Sequence, residues 1–199
     1  MSPTSAGGNR LVDLANGWIL GRLNDTVAGV RISLDKYEFD AAARRLYDFI
    51  WGEYCDWYIE ISKIFLTEND PVAKSQTTAC LAHVLTQCLK LLHPYMPFVT
   101  EEIWSKLPVP LRGAEANLHL AVSRFPIPPP PSAAGHGRPS AEDDMDVKSS
   151  AAPAADRLSA VIEMIRQIRN IRTLYRIPPN GMLSTIVYSA EQSAGSGWI

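Results

Sequence analysis

YDFIWGEYCDWYIEISK, residues 47–63, is the stretch on which the fold turns, because almost every residue in it is apolar, aromatic or an isolated charge. Laid on a helix at roughly 100° per residue, Leu46, Ile50, Trp57, Ile61 and Ile64 form one stripe. Tyr47, Trp51, Tyr58 and Phe65 form a second. A surface helix needs one apolar face, so two faces predict a helix packed at the centre of a helical bundle. Arg45, Asp56, Glu60 and Lys63 fall on the remaining side. Glu53 lies beside the first stripe, where a carboxylate needs a partner or a peripheral position. Asp40 is a candidate cap for this helix, which should run to about Leu66, with Lys36 to Phe39 as the connector before it.

Upstream, Leu11, Leu14, Trp18, Leu23, Val27, Val30 and Leu34 recur at helical intervals and predict an amphipathic helix from Arg10 to Leu34. Gly17, Gly21 and Gly29 each cost about 1 kcal/mol relative to Ala, so its order should depend on packing. Downstream, Asp70 and Pro71 read as a cap and a first helical residue, opening a helix to about Leu92. Leu81, Val84, Leu85, Cys88 and Leu92 gather on one side of it, opposite Gln76, His83, Gln87 and Lys90. Pro94 should stop that helix and Pro97 start the next, with Ile103, Trp104 and Leu107 facing inward. Leu118 to Phe125 alternates enough for a strand. The stretch 126–155, with PIPPPP followed by Ser, Ala, Gly and acids, predicts a disordered linker. Asp156 should cap a helix to about Arg176, followed by a Pro178-Pro179-Asn180-Gly181 turn and a strand from Met182 to Tyr188. Residues 1–9 are expected to be disordered and the tail 190–199 frayed.

The predicted class is therefore mainly α: a bundle over 10–125, a linker, and a helix-turn-strand appendage over 156–189. The chain has 199 residues, 46% hydrophobic and 20% charged, which suits one packed core plus a small appendage and not a large multidomain enzyme. No stretch approaches the ~18–20 uninterrupted apolar residues of a membrane-spanning helix, so a soluble chain without a membrane partner is expected. The nine residues before Arg10 are too short for a transit peptide. A cytoplasmic site is expected, with an organellar parent enzyme left open. Cys55, Cys80 and Cys88 lack paired spacing and read as buried thiols of a reducing compartment, with no metal site. A net charge of −2 means that any nucleic-acid contact must be local.

No Gly-rich phosphate loop, metal-ligand cluster or nucleophile-base arrangement occurs, so no catalytic residue is assigned. His83, His93, His119 and His136 are scattered and read as solvated or capping side chains. Tyr47, Trp51, Tyr54, Trp57 and Tyr58 have the chemistry to stack unpaired bases. Their helical striping favours core packing instead. The clearest electrostatic signal is Arg166, Arg169, Arg172 and Arg176, opposed only by Glu163 and giving +3 over residues 158–177. Arg169, Arg172 and Arg176 should share one helix face. Such a stripe suits RNA phosphates, or equally a solvated face or the acidic residues of the bundle.

Two stretches, residues 47–63 and LLHPYMPFVTEEIWSKL at 91–107, resemble the helical anticodon-binding domain of class I aminoacyl-tRNA synthetases. The CDWYIE wording is most similar to the valine-specific branch of that family. WILGRLN at 18–24 is similar to the family's preceding helix, and VIEMIRQIRNIRTLYRIPP at 161–179 to its helix and Pro-Pro turn after the bundle. The family's HIGH-like and KMSKS-like signatures do not occur. Nor do its first bundle helix, with an Asn-Lys-Leu-Trp-Asn-like stretch, or its terminal coiled-coil arm. Asn16 and Gly17 stand where an Asp-Arg-like pair is common, and Gly21 where a Ser-like residue is.

The resemblance implies a structural core built on Trp51, Trp57, Tyr58, Pro94, Pro97 and Trp104. It implies a module that receives the anticodon stem-loop of a valine tRNA. In a complete enzyme, ATP and Mg2+ would serve the activation of valine and its transfer to that tRNA; this chain by itself is expected to hold no cofactor and to be inactive. Arg166, Arg169, Arg172 and Arg176 are the candidate phosphate contacts, with Arg22 a weaker one. A catalytic domain or another protein is a further expected partner. The rival expectation is a helical protein-interaction module without RNA binding, docking through apolar surface left by the absent first helix.

Overall fold

The computed structural model describes residues 5–112, 119–128 and 153–177. These form seven α-helices: α1 (Ser5–Asp35), α2 (Phe39–Phe49), α3 (Glu60–Thr67), α4 (Pro71–Leu92), α5 (Pro97–Lys106), α6 (Val109–Arg112) and α7 (Pro153–Leu174). Between α2 and α3 lies a π-helix, Ile50–Ile59, that continues both without a break. Among the described residues the class is mainly α, as expected. The chain divides into two compact units, residues 1–160 and 161–199.

In the first unit, α1 packs along α2 and α4, α3 packs on α4, and α5 and α6 close one end of α4. Each helix is set by local signals that the packing then uses. The Asp70 carboxylate accepts hydrogen bonds from the amides of Val72 and Ala73, and Pro71 fills the first helical position where no amide partner is lost. The chain leaves α1 by a turn in which Tyr37 takes φ 62° and its amide reaches Leu34 O, while the Glu38 amide reaches Ser33 O. Those two bonds satisfy carbonyls that the end of a helix otherwise leaves open. This turn folds α2 back along α1 as a helical hairpin.

The α1 core face consists of Val12, Ala15, Trp18, Ile19, Leu23, Val27 and Val30, all buried. Leu11 is 58% exposed, so the stripe begins one residue later than its sequence pattern suggested. Ala42, Leu46 and Phe49 of α2 meet this face, and Cys80, Val84, Cys88 and Leu91 are buried from α4. A smaller cluster of Leu89, Trp104 and Leu120, with Leu85 and Leu107 beside it, anchors the α5 end. Ile103, expected inward, is instead 41% exposed, since Thr100 and Trp104 take the inward positions of a short helix.

Other expectations are corrected. Helix α1 starts at Ser5, ahead of Arg10. Asp40 sits in the first turn of α2 and caps nothing; Glu38 occupies the capping position without a side-chain bond. Helix α7 starts at Pro153, with Asp156 inside it. The strand expected from Leu118 to Phe125 is absent over its described part: Leu120–Val122 is a 3-10 turn. The cause is Glu101, whose carboxylate accepts from the amides of Leu120 and Ala121 and so holds two donors that a strand would need. The segment then passes α1, where Arg31 Nη1 donates to Pro126 O. Most of the proposed linker, the Pro178 to Gly181 turn and the Met182 to Tyr188 strand lie outside the described residues.

Candidate functional site

The π-helix determines which aromatic side chains face out. Buried positions run Ala42, Leu46, Phe49, then Tyr54, Trp57, Tyr58, Ser62 and Phe65. The interval from Phe49 to Tyr54 is one residue longer than an α-turn accepts, and the wider i→i+5 winding absorbs it. Positions before the wide turns and positions after them therefore do not share one face. Tyr58 and Phe65 point inward, whereas Tyr47 is 64% and Trp51 55% exposed. Trp51 is thus removed from the expected core, while Trp57, Tyr58 and Trp104 belong to it. The Tyr47 and Trp51 rings stand side by side on the surface, centroids 6.3 Å apart and tilted by 50°.

The buried half of the cluster is held by hydrogen bonds. Tyr58 Oη donates to Asn16 Oδ1 at 2.7 Å, and Tyr54 Oη donates to Leu81 O at 3.0 Å. Burial raises both phenols above their ordinary values, and the neighbouring thiols add to the shift. Trp18 Nε1 donates to Ser159 Oγ at 3.0 Å, in the part of α7 that belongs to the first unit. His93 Nδ1 lies 2.8 Å from Thr100 Oγ1 and ties the α4–α5 bend together. Pro94 and Pro97 are themselves exposed and shape that bend through their rings and not through burial.

Where α1 meets the α2–π junction there is an open cavity of about 240 Å3. Its wall from α1 carries Arg22, Asp25 and Thr26; the other wall carries Arg45, Asp48 and Glu53, with the buried Phe49 also in the lining. Arg22 grips Glu53 with both arms of its fork: Nε donates to Oε2 at 2.8 Å and Nη2 to Oε1. That bond, above all, raises the guanidinium's hold on its proton, partly offset by burial. Asp25 lies 4.0 Å from the same side chain. Glu53 thus has the partner its position required. Arg22, a weak phosphate candidate from sequence, is largely committed to it.

In the second unit, Arg166 pairs with Glu163 at 3.9 Å, a surface contact of small worth. Arg169 is exposed and Arg172 half-buried, and each has a partner. Helix α7 ends at Leu174, so Arg176 does not continue the expected stripe. It takes φ 52°, with its amide on Thr173 O and that of Ile177 on Arg172 O, and closes the helix.

Among the described residues no group of three or more His, Cys, Asp or Glu side chains is placed to hold a metal ion. No described helix is long and apolar enough to cross a membrane. The three thiols are free; Cys80 and Cys88 are buried, and burial pushes Cys88 up to about 12. Sequence reasoning missed Arg45 and Asp48 as cavity residues and Tyr47 and Trp51 as surface residues. No local signal marked them, because the Phe49 to Tyr54 interval stands out only once both side chains are seen buried on one core.

A helical hairpin, an aromatic-rich central helix and a Pro-bounded bend define a mainly α-helical bundle. The family model for the anticodon-binding domain of tRNA ligase matches residues 16–187, and the chain belongs to that family. It is 41% identical to the valine–tRNA ligase of Bacillus cereus strain ATCC 10987 over 165 residues, 83% of this chain and 16% of that protein. It is 39% identical to the valine–tRNA ligase of Listeria monocytogenes over 170 residues, 85% of this chain and 17% of that protein. Against the enzyme of Bacillus subtilis it is 37% identical over 183 residues, 92% of this chain and 18% of that protein. The chain thus spans less than a fifth of the length of these relatives.

Proposed function

We propose that this chain supplies the part of a valine–tRNA ligase that receives the anticodon stem-loop of the valine tRNA. The observation that carries this is the family match over residues 16–187, together with about 40% identity to valine–tRNA ligases across four-fifths of the chain. ATP-dependent activation of valine, with Mg2+, and transfer to tRNA are assigned to the catalytic part of such a ligase, working in the cytoplasm. The role of the present chain is positioning. A rigid helical surface holds unstacked loop bases while basic side chains neutralise nearby phosphates.

Two features of the chain support this role. Tyr47 and Trp51 present aromatic faces to solvent, the chemistry on which splayed bases stack. Arg166, Arg169 and Arg172 succeed one another at intervals of one helical turn on α7, and with Arg176 they remain the phosphate candidates of the second unit. The domain division proposed is a bundle over 10–125, a linker over 126–155, and a basic appendage over 156–189.

The test is filter binding of the purified chain to valine tRNA, and to the same tRNA with a changed anticodon, at two salt concentrations. Binding that weakens with salt and with the anticodon change is expected. Salt-sensitive binding that ignores the anticodon reduces the role to phosphate attraction, and no binding to either tRNA refutes it for this chain.

A further inference from the structure

The cavity between α1 and the α2–π junction has the chemistry of a recognition site, and its charges say for what. Three carboxylates, Asp25, Asp48 and Glu53, face two guanidiniums, Arg22 and Arg45. A lining with more negative than positive charge repels a phosphate and suits a neutral polar group. Its volume of about 240 Å3 is far more than the ~30 Å3 of a single water and leaves room for a planar heterocycle.

Within this lining the side chains divide into spent and available ones. Arg22 and Glu53 satisfy each other, fixing the guanidinium plane at the edge of the cavity. Arg45 and Asp48 take no side-chain hydrogen bond or ion pair among the described residues, and their side chains line one wall within a helical turn of each other. Arg45 is nonetheless positioned. Its guanidinium lies against Gly29, so closely that a Cβ there would stand 3.2 Å from Nη1 and 3.3 Å from Cδ. The missing side chain of Gly29 is what lets Arg45 lie along α1. A fork of donors and a carboxylate acceptor therefore line one open space together with Phe49.

We infer that this cavity takes one unstacked nucleobase bearing an exocyclic amine next to a ring or carbonyl acceptor, with Asp48 accepting from the amine and Arg45 donating to the acceptor. Adenine, cytosine and guanine present that pair of groups; uracil, which offers carbonyls and no amine, does not. The inference rests on the anticodon stem-loop reading above and adds to it the residues that discriminate between bases.

The experiment titrates the full chain with a labelled RNA hairpin reproducing the valine anticodon stem-loop, and with hairpins in which each loop nucleotide in turn is replaced by uridine. At one loop position, uridine should weaken binding by about tenfold. Asp48→Asn adds an amide donor that a uracil carbonyl accepts, and Arg45→Lys keeps the charge but loses the fork. Each should bring that ratio close to one while melting temperature stays unchanged, since both side chains are exposed. If the hairpin binds with salt sensitivity but no position discriminates against uridine, or both variants keep the ratio, the base pocket is refuted and the stem-loop reading stands. If the hairpin does not bind at either salt concentration, both fall.

Discussion

Thr77 is fully buried in α4, and its hydroxyl finds no hydrogen-bond partner among the described residues. A buried hydroxyl left without a partner costs about 1–3 kcal/mol, and valine keeps the branched shape without it. Thr77→Val should therefore raise the free energy of unfolding by about 1 kcal/mol in urea titration; a loss of stability would mean that the hydroxyl has an unseen partner. The opposite case is Tyr58, whose ring is wholly buried but whose hydroxyl is matched to Asn16 on another helix. The position where the chain departs from the family's Asp-like residue still supplies an acceptor. Residue type alone tells neither outcome, because satisfaction of a polar group depends on an atom contributed from elsewhere in the chain.

Along α1, glycines play unequal parts. At Gly17 a side-chain carbon would meet nothing within 4 Å, so Gly17→Ala should stabilise the chain by about 0.5–1 kcal/mol through helix propensity alone. At Gly29 the same carbon would press on Arg45, and the propensity gain should be largely cancelled as that side chain is displaced. Thermal melts of the two variants side by side test the contrast, and equal stabilisation would mean that Arg45 moves freely. Gly17, Gly21 and Gly29 were visible in the sequence as weak points of a helix. That one of them seats a guanidinium was not, since the contact joins residues on different elements. The π-helix is a similar case: its ten residues follow the same apolar pattern as an α-helix, and only the packing of Phe49 and Tyr54 on one core demands the wider turn.

At the scale of the first unit, the Glu101 carboxylate helps to fasten the segment around Leu120 to the bundle, beside the burial of Leu120 and the bond from Arg31 to Pro126 O. Burial disfavours the charged form of Glu101, but bonds from the Leu120 amide, His119 and the Ala121 amide prevail and hold its pKa below the ordinary carboxylate value. A carboxyl lowered on folding contributes stability above its unfolded pKa, and that contribution is lost as pH falls through the folded value. Glu101→Gln should therefore be less stable than the parent at neutral pH. The two should converge in acid, below the lowered value, when unfolding is followed by circular dichroism from neutral to acid pH; a constant gap would assign the effect to packing. The sequence by itself determined the helix order, the Asp70–Pro71 start, the Pro94–Pro97 bend and the family, because capping, proline geometry and apolar period act within a few residues. Only the tertiary structure decided that Tyr47 and Trp51 face solvent, that Arg22 is taken by Glu53, and that Arg45 and Asp48 line a cavity. Those facts depend on how separate helices register against each other, which no local pattern encodes.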